Sequence, residues 1–186
     1  MLKVAVVGDI DVGKSSLVSR FVNRRKIPTV THTIGVDVTV TTLFVHGKVH
    51  RVKFFDLTGS YFYESLYDNY LLNAESIIVV YDVTRLKTFL KAKIFVKKIL
   101  GIHGENYPII LVGNKIDEIA RRRVDLTVAL GFVKGACNTY YIETSAKNGV
   151  NTLDCLRMLI SEASRNQKVI TEKKMEENVS SGCNIV

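Results

Sequence analysis

The near-apolar run Leu2 to Val7 leads into Gly8-Asp9-Ile10-Asp11-Val12-Gly13-Lys14-Ser15, and Leu17, Val18, Phe21 and Val22 follow at helical spacing. This order predicts a strand, a glycine-framed loop and a helix. The spacing G-x-x-x-x-G-K-S suits a phosphate cradle, because backbone N–H groups and the positive end of the helix converge on one anionic point. The candidate binding residues are Asp11, Val12, Gly13, Lys14, Ser15 and Ser16. Lys14 would neutralise terminal phosphates, and the Ser15 hydroxyl would take a position on Mg²⁺.

Bulk composition leaves room for this reading and excludes others. The chain has 186 residues, 47% hydrophobic and 24% charged, which suits one globular domain with a full core. Its longest apolar stretches, Ile77 to Tyr81 and Ile109 to Val112, are of buried-strand length and too short to cross a membrane. The N-terminus lacks the apolar core of a secretory signal. Cys137, Cys155 and Cys183 have no metal-type spacing and read as reduced thiols of a cytosolic chain. The formal charge is +8, but the basic residues are scattered without interleaved aromatics, which argues against nucleic-acid binding.

Along the chain, a polar segment from Asn23 to His32 precedes a strand from Val36 to Val45, which turns at His46-Gly47 into a second strand from Val49 to Phe55. Tyr61 to Asn73 reads as irregular, then helical. Buried strands are expected at Ile77 to Tyr81 and Ile109 to Val112, with a helix over Lys87 to Leu100 that turns Phe89, Ala92, Val96 and Ile99 inward. A helix at Asp125 to Lys134 and a short strand at Tyr140 to Ile142 follow. Asn151 to Ala163 is an amphipathic helix with Leu153, Leu156, Leu159, Ile160 and Ala163 inward. Alternation of this kind predicts an α/β fold: a six-stranded, mostly parallel sheet with one antiparallel strand and helices on both faces. Ligands of such sheets sit at the strands' carboxyl ends.

Each further motif falls at such an end. Asp56-Leu57-Thr58-Gly59 closes the third strand, where the Asp56 carboxylate would hold a Mg²⁺-bound water and the Gly59 N–H would approach a terminal phosphate. Asn114-Lys115-Ile116-Asp117 closes the strand that starts at Ile109. The Asp117 carboxylate can accept the paired N1–H and N2–H of guanine, which adenine does not offer, and the Lys115 stem can cover the face of the base. In Glu143-Thr144-Ser145-Ala146-Lys147, the N–H groups of Ala146 and Lys147 could bond the guanine O6. Thr33, in the polar loop, could sense a γ-phosphate through Mg²⁺.

These motifs, with Thr33-Ile34-Gly35-Val36-Asp37 and Ile77-Ile78-Val79-Val80-Tyr81-Asp82-Val83-Thr84, resemble the Ras superfamily of small GTPases, and within it the Rab family. The resemblance covers about residues 2 to 165 and implies a P-loop NTPase fold. It divides the chain into a GTPase domain over 1–165 and a flexible tail over 166–186. It implies a membrane-trafficking switch that binds GTP or GDP with Mg²⁺. The implied partners are effectors, exchange factors, GTPase-activating proteins and a prenyl-binding chaperone. Lys14, Thr33, Gly59 and residue 60 carry catalysis in that pattern, and Ser15, Thr33 and Asp56 the metal.

The departures from the family pattern gather where hydrolysis takes place. Ser60 stands where the family has a water-orienting glutamine, and its side chain is too short for that task. Thr58 replaces an alanine. Ile10 fills a site normally occupied by glycine or another small residue and should obstruct an arginine finger, while Asp11 brings a carboxylate towards the phosphates. Lys26 and Val30 align with aromatic positions of the family. Slow hydrolysis is the expectation; the alternative is a non-catalytic module that presents switch surfaces without turnover. An ATPase or P-loop kinase is disfavoured by the guanine-type tetrapeptide. The tail reads as a solvated linker ending Cys183-Asn184-Ile185-Val186, a C-a-a-X-like signal for prenylation of Cys183 and reversible attachment to the cytosolic face of an intracellular membrane.

Overall fold

The computed structural model describes residues 1–23, 35–45, 47–59 and 64–181, with the backbone alone for 64–67 and 167–181. Its strands are β1 (Leu2–Gly8), β2 (Val36–Val45), β3 (Lys48–Leu57), β4 (Ser76–Asp82), β5 (Ile109–Asn114) and β6 (Thr139–Thr144). The helices are α1 (Lys14–Asn23), α2 (Glu64–Asn73), α3 (Leu86–His103), α4 (Leu126–Lys134) and α5 (Thr152–Ser181), with short 3-10 turns over Ile116–Arg121. The sheet order is β2-β3-β1-β4-β5-β6, and β2 against β3 is its one antiparallel pairing.

The central strands are apolar on both faces because helices cover both. Along β1, Val4 and Val6 pack with Leu17, Phe21, Leu156 and Leu159 of α1 and α5. Their neighbours Ala5 and Val7 pack on the other side with Phe89, Val96 and Ile99 of α3 and Ala129 of α4. Every residue of β4 and β5 is buried, which explains the unbroken apolar runs in the sequence. Strand alternation thus divides two cores across one sheet, with all five parallel strands ending at the same rim.

The inward set expected for α3 is buried as the spacing predicts. On α5 the expectation needs correction: Leu153 is 39% exposed, and buried Cys155 takes the inward place with Leu156, Leu159, Ile160 and Ala163. Leu153 sits in the first helical turn, lining a cleft of about 290 Å³ beside Arg20 and Phe21. The same helix continues past residue 166 to Ser181, where loss of apolar spacing predicts a linker. Its extension carries three Glu, three Lys, one Gln and one Met over residues 167–181, types that favour helix without requiring a buried face.

Candidate functional site

Four loops meet at the carboxyl rim of the sheet, after β1, β3, β5 and β6. The first leaves β1 and enters α1, whose opening intrahelical bond runs from the Leu17 N–H to the Gly13 carbonyl at 2.9 Å. The N–H groups of Lys14, Ser15 and Ser16 therefore have no acceptor within the helix and stand at its positive end. The preceding turn places Asp11 in the left-handed region at φ 59°, which Asp tolerates better than most residues. At Gly13 a Cβ would lie 2.3 Å from Asn114 Nδ2, so glycine is needed for the close approach of the two loops.

Charge is concentrated beneath this loop. Lys14 is buried, its Nζ donating to the Asp9 carbonyl at 2.8 Å. Burial pushes its pKa down to about 8, against the upward pull of Asp56, Asp9 and Asp11. Asp56, at the end of β3, is buried and accepts a hydrogen bond from Ser15; burial raises its pKa, while Ser15 and Lys14 oppose the shift. Its Oδ1 is the one buried side-chain polar atom without a partner among the described residues. Gly59 lies hard against the loop: a Cβ there would be 2.4 Å from the Ile10 nitrogen and 2.5 Å from the Asp9 carbonyl carbon. Neighbouring Thr58 is buried, its N–H donating to the Gly35 carbonyl at 2.9 Å.

Asn114 joins the loop after β1 to the loop after β6. Its Nδ2 donates to the Val12 carbonyl at 2.8 Å, and its Oδ1 accepts the Ala146 N–H at 3.0 Å and the Thr144 hydroxyl at 3.2 Å. The Ala146 N–H, expected to face a base, is here turned to Asn114. Ser145 donates to Asp117 Oδ1 at 2.6 Å and accepts the Asn148 N–H at 3.0 Å, which orients the Asp117 carboxylate. Exposed Lys147 holds its Nζ 3.8 Å from the other Asp117 oxygen. Lys115 has left-handed backbone, φ 69°, and its Nζ meets Asp82 Oδ2 at 2.9 Å instead of lying free along the rim.

Residues 3–165 match the sequence model of the Ras family. The chain belongs to that family. It is a Rab-like small GTPase, 33% identical over 162 residues to Ras-related protein Rab-1A of Dictyostelium discoideum, an alignment that covers 87% of this chain and 80% of that relative.

Several residues that hold the Ras-family rim in place were not singled out from the sequence. Arg20 of α1 donates from Nε to the Ala146 carbonyl at 3.0 Å and from Nη2 to that of Lys147, fastening the loop after β6. Arg85 donates to Asp82 Oδ2 at 3.0 Å and to the Ile10 carbonyl at 2.9 Å, and Lys91 of α3 donates to Asp9 Oδ1 at 2.8 Å. Burial tends to raise the Asp9 pKa, but the Lys91 bond, the Ile10 N–H and the charges of Lys91 and Arg85 hold it below the usual carboxylate range. Asp9 occupies a variable position of the loop motif and Lys91 a cationic helix, the only local hint of that pairing. Ile10 itself is 43% exposed at the loop's apex. Thr33, Ser60, Lys26, Val30 and Cys183 lie outside the described residues.

A divalent cation fits the donor set. Ser15 Oγ and the two Asp56 oxygens are hard ligands, and the orphaned Asp56 Oδ1 is a buried acceptor that a metal-bound water would satisfy.

Proposed function

We propose that this Rab-like small GTPase is a guanine-nucleotide switch in membrane trafficking that binds GTP and GDP with Mg²⁺ and hydrolyses GTP slowly. The observation that carries the reading is the Asn114 bridge, which locks the phosphate-type loop and the loop after β6 to one rim with Asp117 oriented between them. In this reading the N–H groups from Asp11 through Ser16 hold the phosphates, and Lys14 supplies positive charge. Asp117 accepts the two guanine donors, with Lys115, Ser145, Ala146 and Lys147 around the base. Ser15, Thr33 and Asp56, the last through water, would hold Mg²⁺, whose chemistry there is to neutralise charge developing on the β- and γ-phosphates. Gly59 would offer its N–H to the terminal phosphate.

Slow hydrolysis follows from what surrounds that phosphate. In this reading Ser60, shorter than the family's glutamine, would not orient an attacking water, and the Ile10 side chain, exposed at the loop's apex, would crowd the approach of a partner's arginine. An arginine finger alone contributes about 10³ to 10⁵ in rate. The second reading, a module without turnover, is supported by that same Ile10. Identification of the copurifying nucleotide, followed by single-turnover hydrolysis, tests both. Bound GTP or GDP with slow conversion, accelerated in Ser60→Gln, supports the switch; no conversion in either protein supports the non-catalytic module; conversion at the rate of intact small GTPases refutes both.

Effectors, exchange factors and activating proteins are the expected partners of the switch surfaces. Prenylation of Cys183, with a prenyl-binding chaperone for the soluble phase, would give reversible attachment to the cytosolic face of a membrane. No helix among the described residues is long and apolar enough to cross one. Intact mass after eukaryotic expression tests the modification.

A further inference from the structure

The outer arc of α3 is made of two kinds of residue. Over its 18 residues the helix has five lysines and no acidic residue. Its buried side is Thr88, Phe89, Ala92, Phe95, Val96 and Ile99. Leu86, Leu90 and Ile94, at i, i+4 and i+8, form an outward ridge about 12 Å long and are 49%, 51% and 66% exposed. Exposed Lys87, Lys97 and Lys98 lie beside that ridge on the helical wheel. Lys98 pairs with Asp68 at 2.7 Å and Lys91 with Asp9, while Lys93 lies over the Phe89 and Phe132 rings. Lys87 and Lys97 have no carboxylate partner among the described residues.

We propose that this face of α3 docks on an anionic phospholipid bilayer. Charge complementarity selects the partner's sign, and shape selects a lipid surface: a convex aliphatic ridge flanked by lysines inserts between headgroups, whereas a partner helix needs a groove to enter. The distribution of charge along the chain points the same way. In residues 166–186 three lysines are matched by three glutamates, so the whole excess of eight positive charges belongs to residues 1–165. One lipid chain gives marginal attachment and stable anchoring needs a second signal, which a charge-balanced tail does not supply and α3 does. The second-signal argument rests on the prenylation reading; the charge and shape of α3 stand without it.

The test uses the full chain as Cys183→Ser, so no lipid is attached, and cosedimentation with two kinds of vesicle. One is phosphatidylcholine alone; the other is phosphatidylcholine and phosphatidylserine in about a 7:3 ratio. A lysine near an anionic surface strengthens attachment about fivefold. Saturable binding to the anionic vesicles alone, weakening with salt, is expected. Lys87→Glu with Lys97→Glu should reduce it at least tenfold, and Leu90→Ser with Ile94→Ser severalfold. The charge-matched pair Lys48→Glu and Arg157→Glu, on exposed positions of β3 and of α5, which packs on the opposite face of the sheet from α3, should keep most of it. Unchanged circular dichroism and melting verify that each variant folds. Equal loss in both charge-reversed pairs, or no vesicle binding at about 0.15 M salt, overturns the proposal. So does binding of an acidic amphipathic peptide at α3 without vesicle binding. None of these outcomes depends on nucleotide binding.

Discussion

Asn114→Ala removes the side chain on which the rim depends. In the ligand-free protein it strips the Val12 carbonyl of its 2.8 Å donor and the Ala146 N–H of its 3.0 Å acceptor, and all three residues are buried. A buried polar group left unsatisfied costs about 1–3 kcal/mol, so two of them should destabilise the protein by roughly 2–4 kcal/mol after partial relief by entering water. For a chain of this size that corresponds to a Tm lower by about 4–16 °C. Urea unfolding of nucleotide-stripped protein reads the change directly, with the m value held constant to show that the unfolded state is unaltered. The same variant should release GDP faster, because the two loops lose their tie. A loss of stability under about 0.5 kcal/mol would mean that Asn114 does not hold the loops together and would remove the basis of the coupling.

Three further outcomes are expected. Arg20→Ala frees the part-buried Ala146 carbonyl and the exposed Lys147 carbonyl; GDP dissociation, followed with a fluorescent analogue, should quicken about three- to tenfold, with a fall in Tm smaller than that of Asn114→Ala. Lys14 titrates near 8 when folded and near 10.5 when unfolded, so between those values the unfolded chain binds the extra proton. Ligand-free stability should therefore rise by roughly 2–3 kcal/mol from pH 8 to pH 10, relative to Lys14→Met, while phosphate affinity falls over the same range. Glu143→Ala leaves Arg122 without its bidentate partner, at 2.7 and 2.8 Å, and the Tyr141 hydroxyl without its 2.9 Å acceptor. The pair is partly exposed, so the cost should be about 2 kcal/mol in urea, below that of a fully buried ion pair.

Local pattern made the scaffold legible and missed the ties across it. Spacing of 3.6 identified Phe89, Ala92, Val96 and Ile99 as inward, and unbroken apolar runs identified β4 and β5, because each pattern reports directly on burial. At the start of α5 the same rule placed Leu153 inside, where the first turn opens onto a cleft and Cys155 fills the core. Past residue 166 helix persists without any apolar stripe, which periodicity does not detect. Fixed spacing brought out Gly13, Lys14, Ser15, Asp56, Asn114 and Asp117 as rim residues. Arg20 reaches a carbonyl 126 positions away and Lys91 a carboxylate 82 positions away, and neither distance has a sequence signature. The bond from the Ala146 N–H to Asn114 is likewise a product of the fold.

The central claim is that the rim takes a guanine nucleotide with Mg²⁺, and titration of the nucleotide-stripped protein with fluorescent GDP tests it most directly. The account predicts saturable binding that is strengthened by Mg²⁺, displaced by GTP, untouched by ATP and lost in Asp117→Ala. No saturable uptake, or equal displacement by ATP with Asp117→Ala binding as well as the parent, would contradict it.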